Sequence, residues 1–274
     1  DGLYPRIITF KYPKTGERNA KGRVGVANLQ SGETTWMKIP GDPRNHYIAR
    51  MDWADNSREL LLQQLNRLQN TNKVMLANVW TGDVKTVFTD RDDAWVDVRY
   101  DFVKWINDGR QFTFVSEQDG WRRVYLVSRD GRKVTPITPG GMDVIQALAI
   151  DDKKDRLYFI ASPDNPTQRF LFCVSLDGKG LKQLSPDAQK GSHSYHVSPD
   201  ARWAVHSFSN SDTPARVNLV KLPEHKSIRK FERNRDLRRN LDKLKRPKTE
   251  FFRVNIGDGV ELDGSCILPP DFDP

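Results

Sequence analysis

Short apolar runs alternate with polar turns through most of the chain. One apolar run ends at Ile106, the turn Asn107-Asp108-Gly109-Arg110 follows, and apolar residues resume at Phe112. Asp-Gly between two apolar runs is a strong hairpin signal, because Gly and small polar residues adopt positive φ at low cost. The pattern therefore predicts two antiparallel strands joined by a tight turn.

This hairpin recurs at a nearly constant interval. The recurring turns end at arginines separated by 52, 46 and 46 residues, namely Arg58, Arg110, Arg156 and Arg202. A second turn of each unit carries a glycine at intervals of 50, 49 and 47 residues, at Gly32, Gly82, Gly131 and Gly178. Apolar strands flank both kinds of turn, so each unit holds four short strands. That period and strand count are typical of β-propeller blades.

The fold class that follows is all-β: a partial β-propeller of about four four-stranded blades after a leading piece of three strands, over residues 4–10, 23–29 and 34–39. The alternative is a β-sandwich whose strands recur by chance, which the in-phase recurrence of two turn types disfavours. Neighbouring blades cover each other's faces, and large aromatic side chains suit such faces. The residues predicted there are Trp53, Trp105, Phe112, Phe114, Tyr158, Phe159, Trp203 and Phe208.

The repeat ends near residue 235. Leu237, Leu241 and Leu244 have helical spacing, and Pro247 ends the helix. A new hairpin follows around Gly257-Asp258-Gly259. We predict a propeller domain over residues 1–235, a basic linker helix over 236–250, and the truncated start of a second domain over 251–274. The chain begins without Met and ends at Pro274, so we expect it to be part of a longer protein.

The positive charge is concentrated in one segment. Residues 229–248 hold ten Lys or Arg against three acids, which accounts for +7 of the formal charge of +8. A basic nucleic-acid-binding domain would spread its charge over one face, and no aromatic residues interleave with the centre of this segment. We therefore expect a solvated linker and no nucleic acid partner, while a nucleic-acid binder remains an alternative.

Motifs for chemistry are missing from the sequence. It has no Gly-x-Ser-x-Gly nucleophile elbow, no phosphate-binding loop and no metal-ligand spacing. His193, Ser194 and His196 are interpreted as strand residues. The two cysteines neither require nor exclude a bridge, and no apolar run approaches the roughly 20 residues that span a bilayer. We predict no catalytic residue, no metal site and no cofactor in this chain.

Several stretches, taken together, resemble the dipeptidyl peptidase IV family of the prolyl oligopeptidase group. They are Tyr12-Pro13-Lys14-Thr15-Gly16, His46-Tyr47-Ile48 followed by Leu65-Asn66-Arg67-Leu68-Gln69-Asn70, Ser116-Glu117-Gln118-Asp119-Gly120-Trp121, and Ile267-Leu268-Pro269-Pro270-Asp271-Phe272. The similarity extends over nearly the whole chain. The last stretch resembles the first strand of the family's α/β-hydrolase domain.

The resemblance implies a propeller that gates and anchors the substrate of a serine exopeptidase. The whole enzyme would release N-terminal dipeptides, preferring Pro or Ala at the second position, by Ser-His-Asp acyl transfer. It would bind peptides with a free N-terminus, form a homodimer, and be secreted, periplasmic or at the cell surface. The family's Glu-Glu motif, nucleophile and oxyanion Tyr have no match here, so this chain is expected to be inactive.

Candidate site residues follow from the same resemblance. The stretch Trp95-Val96-Asp97-Val98-Arg99-Tyr100 is similar to a family loop that lines the extended substrate pocket. It makes Trp95, Arg99 and Tyr100 the substrate-pocket candidates, against the alternative that they are ordinary strand-edge residues. A different class of function also stays open: a stand-alone propeller that binds proteins or peptides without peptidase activity.

Overall fold

A computed structural model of the chain describes residues 3–10, 14–98 and 102–272. The chain forms two compact units. The first unit contains residues 1–100 together with the turn 129–132, and the second contains residues 101–128 and 133–274.

The first unit contains a two-stranded ribbon and a four-stranded sheet, both antiparallel. The ribbon pairs β1 (Gly25–Ala27) with β2 (Thr34–Trp36). The sheet has its strands in chain order: β3 (His46–Trp53), β4 (Glu59–Asn66), β5 (Thr71–Asn78) and β6 (Val84–Arg91). The central strands β4 and β5 are buried on both faces. Their side chains Leu62 and Met75 pack with Val24 and Met37 beside the ribbon.

The second unit contains three more four-stranded antiparallel sheets, again with their strands in chain order. The strands are β7 (Trp105–Ile106), β8 (Gln111–Ser116), β9 (Arg123–Ser128), β10 (Val134–Pro136); β11 (Val144–Asp151), β12 (Arg156–Ala161), β13 (Phe170–Ser175), β14 (Lys182–Gln183); and β15 (Ser192–Val197), β16 (Trp203–Ser209), β17 (Arg216–Lys221), β18 (Lys226–Glu232). This repeated meander confirms the predicted propeller blades.

Two apolar cores join these three sheets. Ile106 and Val124 of the first sheet pack with Leu157 and Phe159 of the second. Tyr158 and Leu171 on the other face of the second sheet pack with Tyr195 and Val220 of the third. Successive residues of a strand point to opposite faces, so Tyr158 and Phe159 enter different cores. Phe112, Phe114, Tyr158, Phe159 and Phe208 are buried as predicted.

A helix and a hairpin follow the last sheet. The helix α1 (Arg235–Leu241) is shorter than the predicted span and has no buried residue. The strands β19 (Lys248–Asn255) and β20 (Glu261–Leu268) form the hairpin around Gly257 and Gly259. Both elements lie outside the four-stranded repeat.

Two further details differ from the expectations. Residues 4–10 form no strand and are exposed, so the leading piece has two strands. Strand-forming residues need a neighbouring strand to pair with, because the preference for a strand depends on cross-strand contacts. Trp53 is about half-exposed rather than buried. Cys173 and Cys266 are both free thiols, and none of the helices in the described ranges has the length and apolarity to cross a bilayer.

Candidate functional site

The substrate-pocket candidates follow β6 directly. Arg99 and Tyr100 lie outside the described residues. Trp95 is 55% exposed, which is unusual for a large aromatic side chain that could be buried. The backbone contacts on either side of Trp95 show whether the fold holds this side chain in an exposed position.

The β4–β5 turn lies at the same end of the sheet and is organised by one side chain. The Oδ1 atom of Asn66 accepts hydrogen bonds from the backbone N–H groups of Asn70 and Thr71, both at 3.1 Å. The Nδ2 atom of Asn66 donates to Oδ1 of Asn70 at 2.7 Å. Asn side chains stabilise turns by replacing backbone partners in this way. The turn is closed further by Gln69, whose N–H donates to Asn66 O at 3.0 Å.

The loop that carries Trp95 is tied to this turn. The N–H of Asp92 donates to Asn70 O at 3.2 Å, and the N–H of Val96 donates to Gln69 O at 2.9 Å. Val96 is buried, whereas its neighbour Trp95 points to solvent. Two backbone bonds and one buried side chain therefore fix the loop on either side of Trp95.

Asp92 orders the loop from within. Its Oδ1 atom accepts the N–H groups of Ala94 at 2.8 Å and of Trp95 at 3.1 Å. These backbone donors favour the ionised form, so they lower the pKa of the Asp92 carboxyl. Asp92 consequently stays a hydrogen-bond acceptor at neutral pH and holds the backbone of Trp95.

A cation and a second aromatic ring complete this end of the sheet. The Arg67 guanidinium lies over the Tyr47 ring at 5.6 Å from its centroid and donates to the Tyr47 hydroxyl. Leu68, at the tip of the turn, is 73% exposed. We call Tyr47, Arg67, Leu68, Asp92 and Trp95 the rim.

A small polar cavity of about 170 Å³ opens at the same end. It is lined by Pro40, Gly41, Asp42, Asn45, His46, Gln64, Asn66, Thr71 and Lys73. The Nε2 group of Gln64 donates to Pro40 O at 2.8 Å and contacts Nδ1 of His46 at 3.0 Å. Burial lowers the pKa of His46, so this wall of the cavity carries a neutral imidazole.

The rim combines three kinds of side chain at one end of the sheet β3–β6. It offers exposed apolar area, a guanidinium and a carboxylate, which are groups that contact peptides. No cluster of His, Cys, Asp and Glu with the arrangement of a metal site occurs within residues 3–10, 14–98 and 102–272. Trp95 was predicted as a site residue from the sequence, whereas Tyr47 and Arg67, at the same end of the sheet, were not. The signal was available in part, since both residues lie in the stretches that carried the family resemblance.

The strand residues His193, Ser194 and His196 divide between two faces of β15. Ser194 and His196 are exposed and lie on the strand, as predicted. His193 is buried and contacts His206 across the strand pair, which the sequence reasoning did not anticipate.

Comparison with known proteins gives consistent results. The family model described as "Dipeptidyl peptidase IV (DPP IV) N-terminal region" matches residues 1–215. Dipeptidyl peptidase 4 of Trichophyton rubrum is 26% identical over 277 aligned residues, which cover 99% of this chain and 36% of the relative. The enzyme of the same name from Arthroderma otae is 27% identical with the same coverage. The chain thus spans about a third of the length of these curated relatives.

The structural comparison covers the whole chain. The crystal structure of Porphyromonas gingivalis dipeptidyl peptidase 4 superposes with a TM-score of 0.87 and 28% sequence identity. The match covers 100% of this chain and 38% of that structure.

Proposed function

The chain belongs to the dipeptidyl peptidase IV family, because the model of that family's N-terminal region matches residues 1–215. On that premise we propose that the chain is the propeller part of a serine exopeptidase. The observation that carries the proposal is the family match over residues 1–215 together with a superposition that spans the whole chain. The four repeated sheets and the ordered rim are consistent with a scaffold that presents substrate-binding groups.

The proposed reaction of the whole protein is removal of dipeptides from peptide N-termini, with Pro or Ala favoured at the second position. A Ser hydroxyl would attack the carbonyl carbon of the second residue, a His would take the hydroxyl proton and then donate it to the leaving amine, and hydrogen-bond donors would stabilise the oxyanion. A Gly-x-Ser-x-Gly elbow is missing from these 274 residues. The chain by itself is therefore expected to be inactive.

The rim is proposed to contribute to peptide binding and to gating. Binding groups need a fixed backbone to act with small entropic cost, and the loop around Trp95 is fixed by the contacts of Asp92 and Val96. Arg99 and Tyr100 follow Trp95 closely in the sequence and are proposed to extend this surface. The Trp95 ring would contact the apolar part of a bound peptide.

The last elements are proposed to lead into the catalytic domain. The helix α1 and the β19–β20 hairpin depart from the four-stranded repeat. They support the division into a propeller domain over 1–235, a linker over 236–250 and the start of an α/β-hydrolase domain over 251–274.

The test uses both the full-length gene product and the 274-residue chain. The full-length protein should hydrolyse Gly-Pro-p-nitroanilide, and it should reject the N-acetylated form of the same substrate because a dipeptidyl peptidase requires a free amine. The 274-residue chain should hydrolyse neither. Turnover by the short chain, or a reading frame that ends close to codon 274, would contradict the proposal and favour a stand-alone binding propeller.

The whole protein is further proposed to be a homodimer. Light scattering of the full-length protein after gel filtration should give twice the mass of one chain. A monomer at micromolar concentration would contradict the proposed dimer, but it would leave the proposed reaction unaffected.

A further inference from the structure

Three histidines meet inside the sheet β15–β18. His193 lies on β15, His206 on β16, and His225 in the turn between β17 and β18. His193 and His206 are 1% and 2% exposed. Tyr195 lies directly opposite His206 in the strand register. We call His193, His206 and His225 the three-histidine cluster.

The rings form a chain of hydrogen bonds. Nε2 of His193 lies 2.8 Å from Gln189 O, and Nδ1 of His193 lies 2.9 Å from Nε2 of His206. The Tyr195 hydroxyl lies 2.8 Å from Nε2 of His225. The His193 and His206 rings are nearly parallel, at 5°, with centroids 5.0 Å apart. A nitrogen separation of 2.9 Å at that centroid distance means that the two rings meet edge to edge.

The contact with Gln189 determines which nitrogens of His193 and His206 carry protons. Gln189 O can only accept, so Nε2 of His193 is the protonated nitrogen and Nδ1 is the acceptor. Nε2 of His206 must then donate to that acceptor. The Tyr195 hydroxyl and Nε2 of His225 form one hydrogen bond, which either group can donate. Every pair is satisfied with all three imidazoles neutral.

An added proton disrupts the contact between His193 and His206. A proton on Nδ1 of His193 would face the N–H of His206 at 2.9 Å, so the pair accepts that proton only if His206 moves its own proton from Nε2 to Nδ1. The His206 and His225 rings lie 4.9 Å apart, so a charge on one repels a charge on the other.

Within residues 3–10, 14–98 and 102–272, no carboxylate forms a hydrogen bond with these rings that could compensate an added charge. The groups acting on the cluster are its own rings, the carbonyl of Gln189 and the hydroxyl of Tyr195, which also interacts with Ser185. Tyr158 and Cys173 of the neighbouring sheet share the apolar core with Tyr195. The charged groups beside the cluster are Lys190, whose Nζ lies over the Phe170 ring, and, flanking His225, Lys226 and Glu224, which pairs with Lys221.

We propose that the three-histidine cluster makes the sheet β15–β18 an acid-operated switch, closed when the cluster is neutral and opened by proton uptake. The opening separates β15 from β16, because the contact between His193 and His206 joins these two strands. A buried charge without a partner is strongly unfavourable, and separation lets water reach the rings.

The direction of the pH dependence follows from burial. Burial lowers the pKa of His193 and His225, and it lowers the pKa of His206 to about 3. An exposed histidine has a pKa of about 6.5, so the open sheet binds more protons than the closed sheet below that pH. The neutral cluster therefore stabilises the closed sheet fully above pH 6.5, and this stabilisation is lost progressively as the pH falls below that value. For each histidine that stays neutral in the closed sheet, the equilibrium constant for opening should rise about 25-fold as the pH falls from 7 to 5.

Hydrogen exchange of the full 274-residue chain, followed by mass spectrometry, tests the switch. We compare the protection factors of the backbone amides in β15 and β16 with those in β8 and β9. The ratio of the first to the second should fall at least about 25-fold between pH 7 and pH 5. The sheet β7–β10 contains no histidine, so the ratio removes the intrinsic pH dependence of exchange. An unchanged ratio in the wild-type chain would overturn the proposal without any variant.

Variants identify the groups responsible. His206→Gln keeps an N–H donor toward His193 but cannot titrate. The fall in the protection ratio between pH 7 and pH 5 should therefore be about 25-fold smaller in this variant. The triple change of His193, His206 and His225 to Gln should make the ratio independent of pH. His196→Gln, on the exposed face of the same strand, should leave the wild-type dependence intact. A loss of protection that persists in a folded triple variant would overturn the assignment to these rings.

Discussion

Arg129 holds Glu59 and the end of β3 together through one guanidinium group. Its Nε and Nη2 atoms lie 3.0 and 2.7 Å from Oε2 of Glu59, and Nη2 also donates to Ala54 O at 2.9 Å. Both side chains are about 70% buried, with 26% and 30% exposed. The contact fixes the turn 129–132 on the sheet β3–β6.

Loss of this contact should destabilise the chain. Arg129→Ala is expected to lower the free energy of unfolding by about 1–3 kcal/mol, because a partly buried charge-assisted bond is removed and the Glu59 carboxylate is left unpaired. Urea unfolding followed by far-UV circular dichroism measures the change. Arg132, in the same turn, pairs with Asp130 but is 88% exposed. Arg132→Ala should change stability by less than about 0.5 kcal/mol, and equal losses for the two variants would contradict the assignment.

Two glycines with the same backbone conformation should respond differently to substitution. Gly32 and Gly82 have φ of 75° and 73°. A Cβ atom at Gly32 would meet nothing within 4 Å, whereas at Gly82 it would lie 2.4 Å from the carbonyl oxygen of Trp36. Gly32→Ala should therefore lower the free energy of unfolding by only about 1 kcal/mol, which is the cost of placing an alanine at positive φ.

Gly82→Ala should cost at least about 1–3 kcal/mol more, because the backbone must shift to relieve the overlap. The same urea titration compares both variants with the wild-type chain. A smaller loss at Gly82 than at Gly32 would show that the β5–β6 turn does not approach Trp36 as the structure has it.

The turns of the repeat were largely predictable from local sequence. Asn107, Asp108 and Gly109 have φ of 52°, 54° and 72°, as the preference of these residue types for positive φ implies. The equivalent turn at Ala201 also has a positive φ, 51°, with a residue type that disfavours it. Pro199 and Asp200 mark this turn in the sequence, whereas no local preference predicts a positive φ at Ala201.

The candidate site was predictable only in part, because its contacts cross the sequence. Trp95 is placed by the bond between Val96 and Gln69, which depends on how β5 and β6 pair. The contact between His193 and His206 likewise depends on the register of β15 and β16. Residue identity indicated an aromatic loop and several histidines, whereas strand pairing decided which side chains meet.

Core packing gives a sharp test of the repeated sheets. Phe159 is fully buried, and its ring lies 5.7 Å from that of Phe172. Phe159→Ala should lower the free energy of unfolding by about 3–5 kcal/mol through lost transfer energy and the cavity left behind. Phe231→Ala removes the same side chain from a site that is 50% exposed and should cost clearly less. A similar loss at both positions in urea unfolding would mean that Phe159 is not part of a packed core.

Trp95→Ala tests the rim in the full-length enzyme. If the Trp95 ring contacts bound peptide, its removal should raise KM for peptides of four or more residues about 5- to 30-fold, which corresponds to about 1–2 kcal/mol of lost contact. The value of kcat should change little, because the ring is proposed to bind ground state and transition state alike.

The matched control is a second exposed tryptophan on the same sheet. Trp80 is 64% exposed and lies in the β5–β6 turn, at the opposite end of the strands from Trp95. Trp80→Ala should leave both constants at their wild-type values. Because both variants remove an indole from a solvent-exposed turn, a general loss of stability would affect them together. A rise in KM for Trp95→Ala alone assigns peptide binding to the rim, and equal values for both variants would remove Trp95 from the substrate pocket.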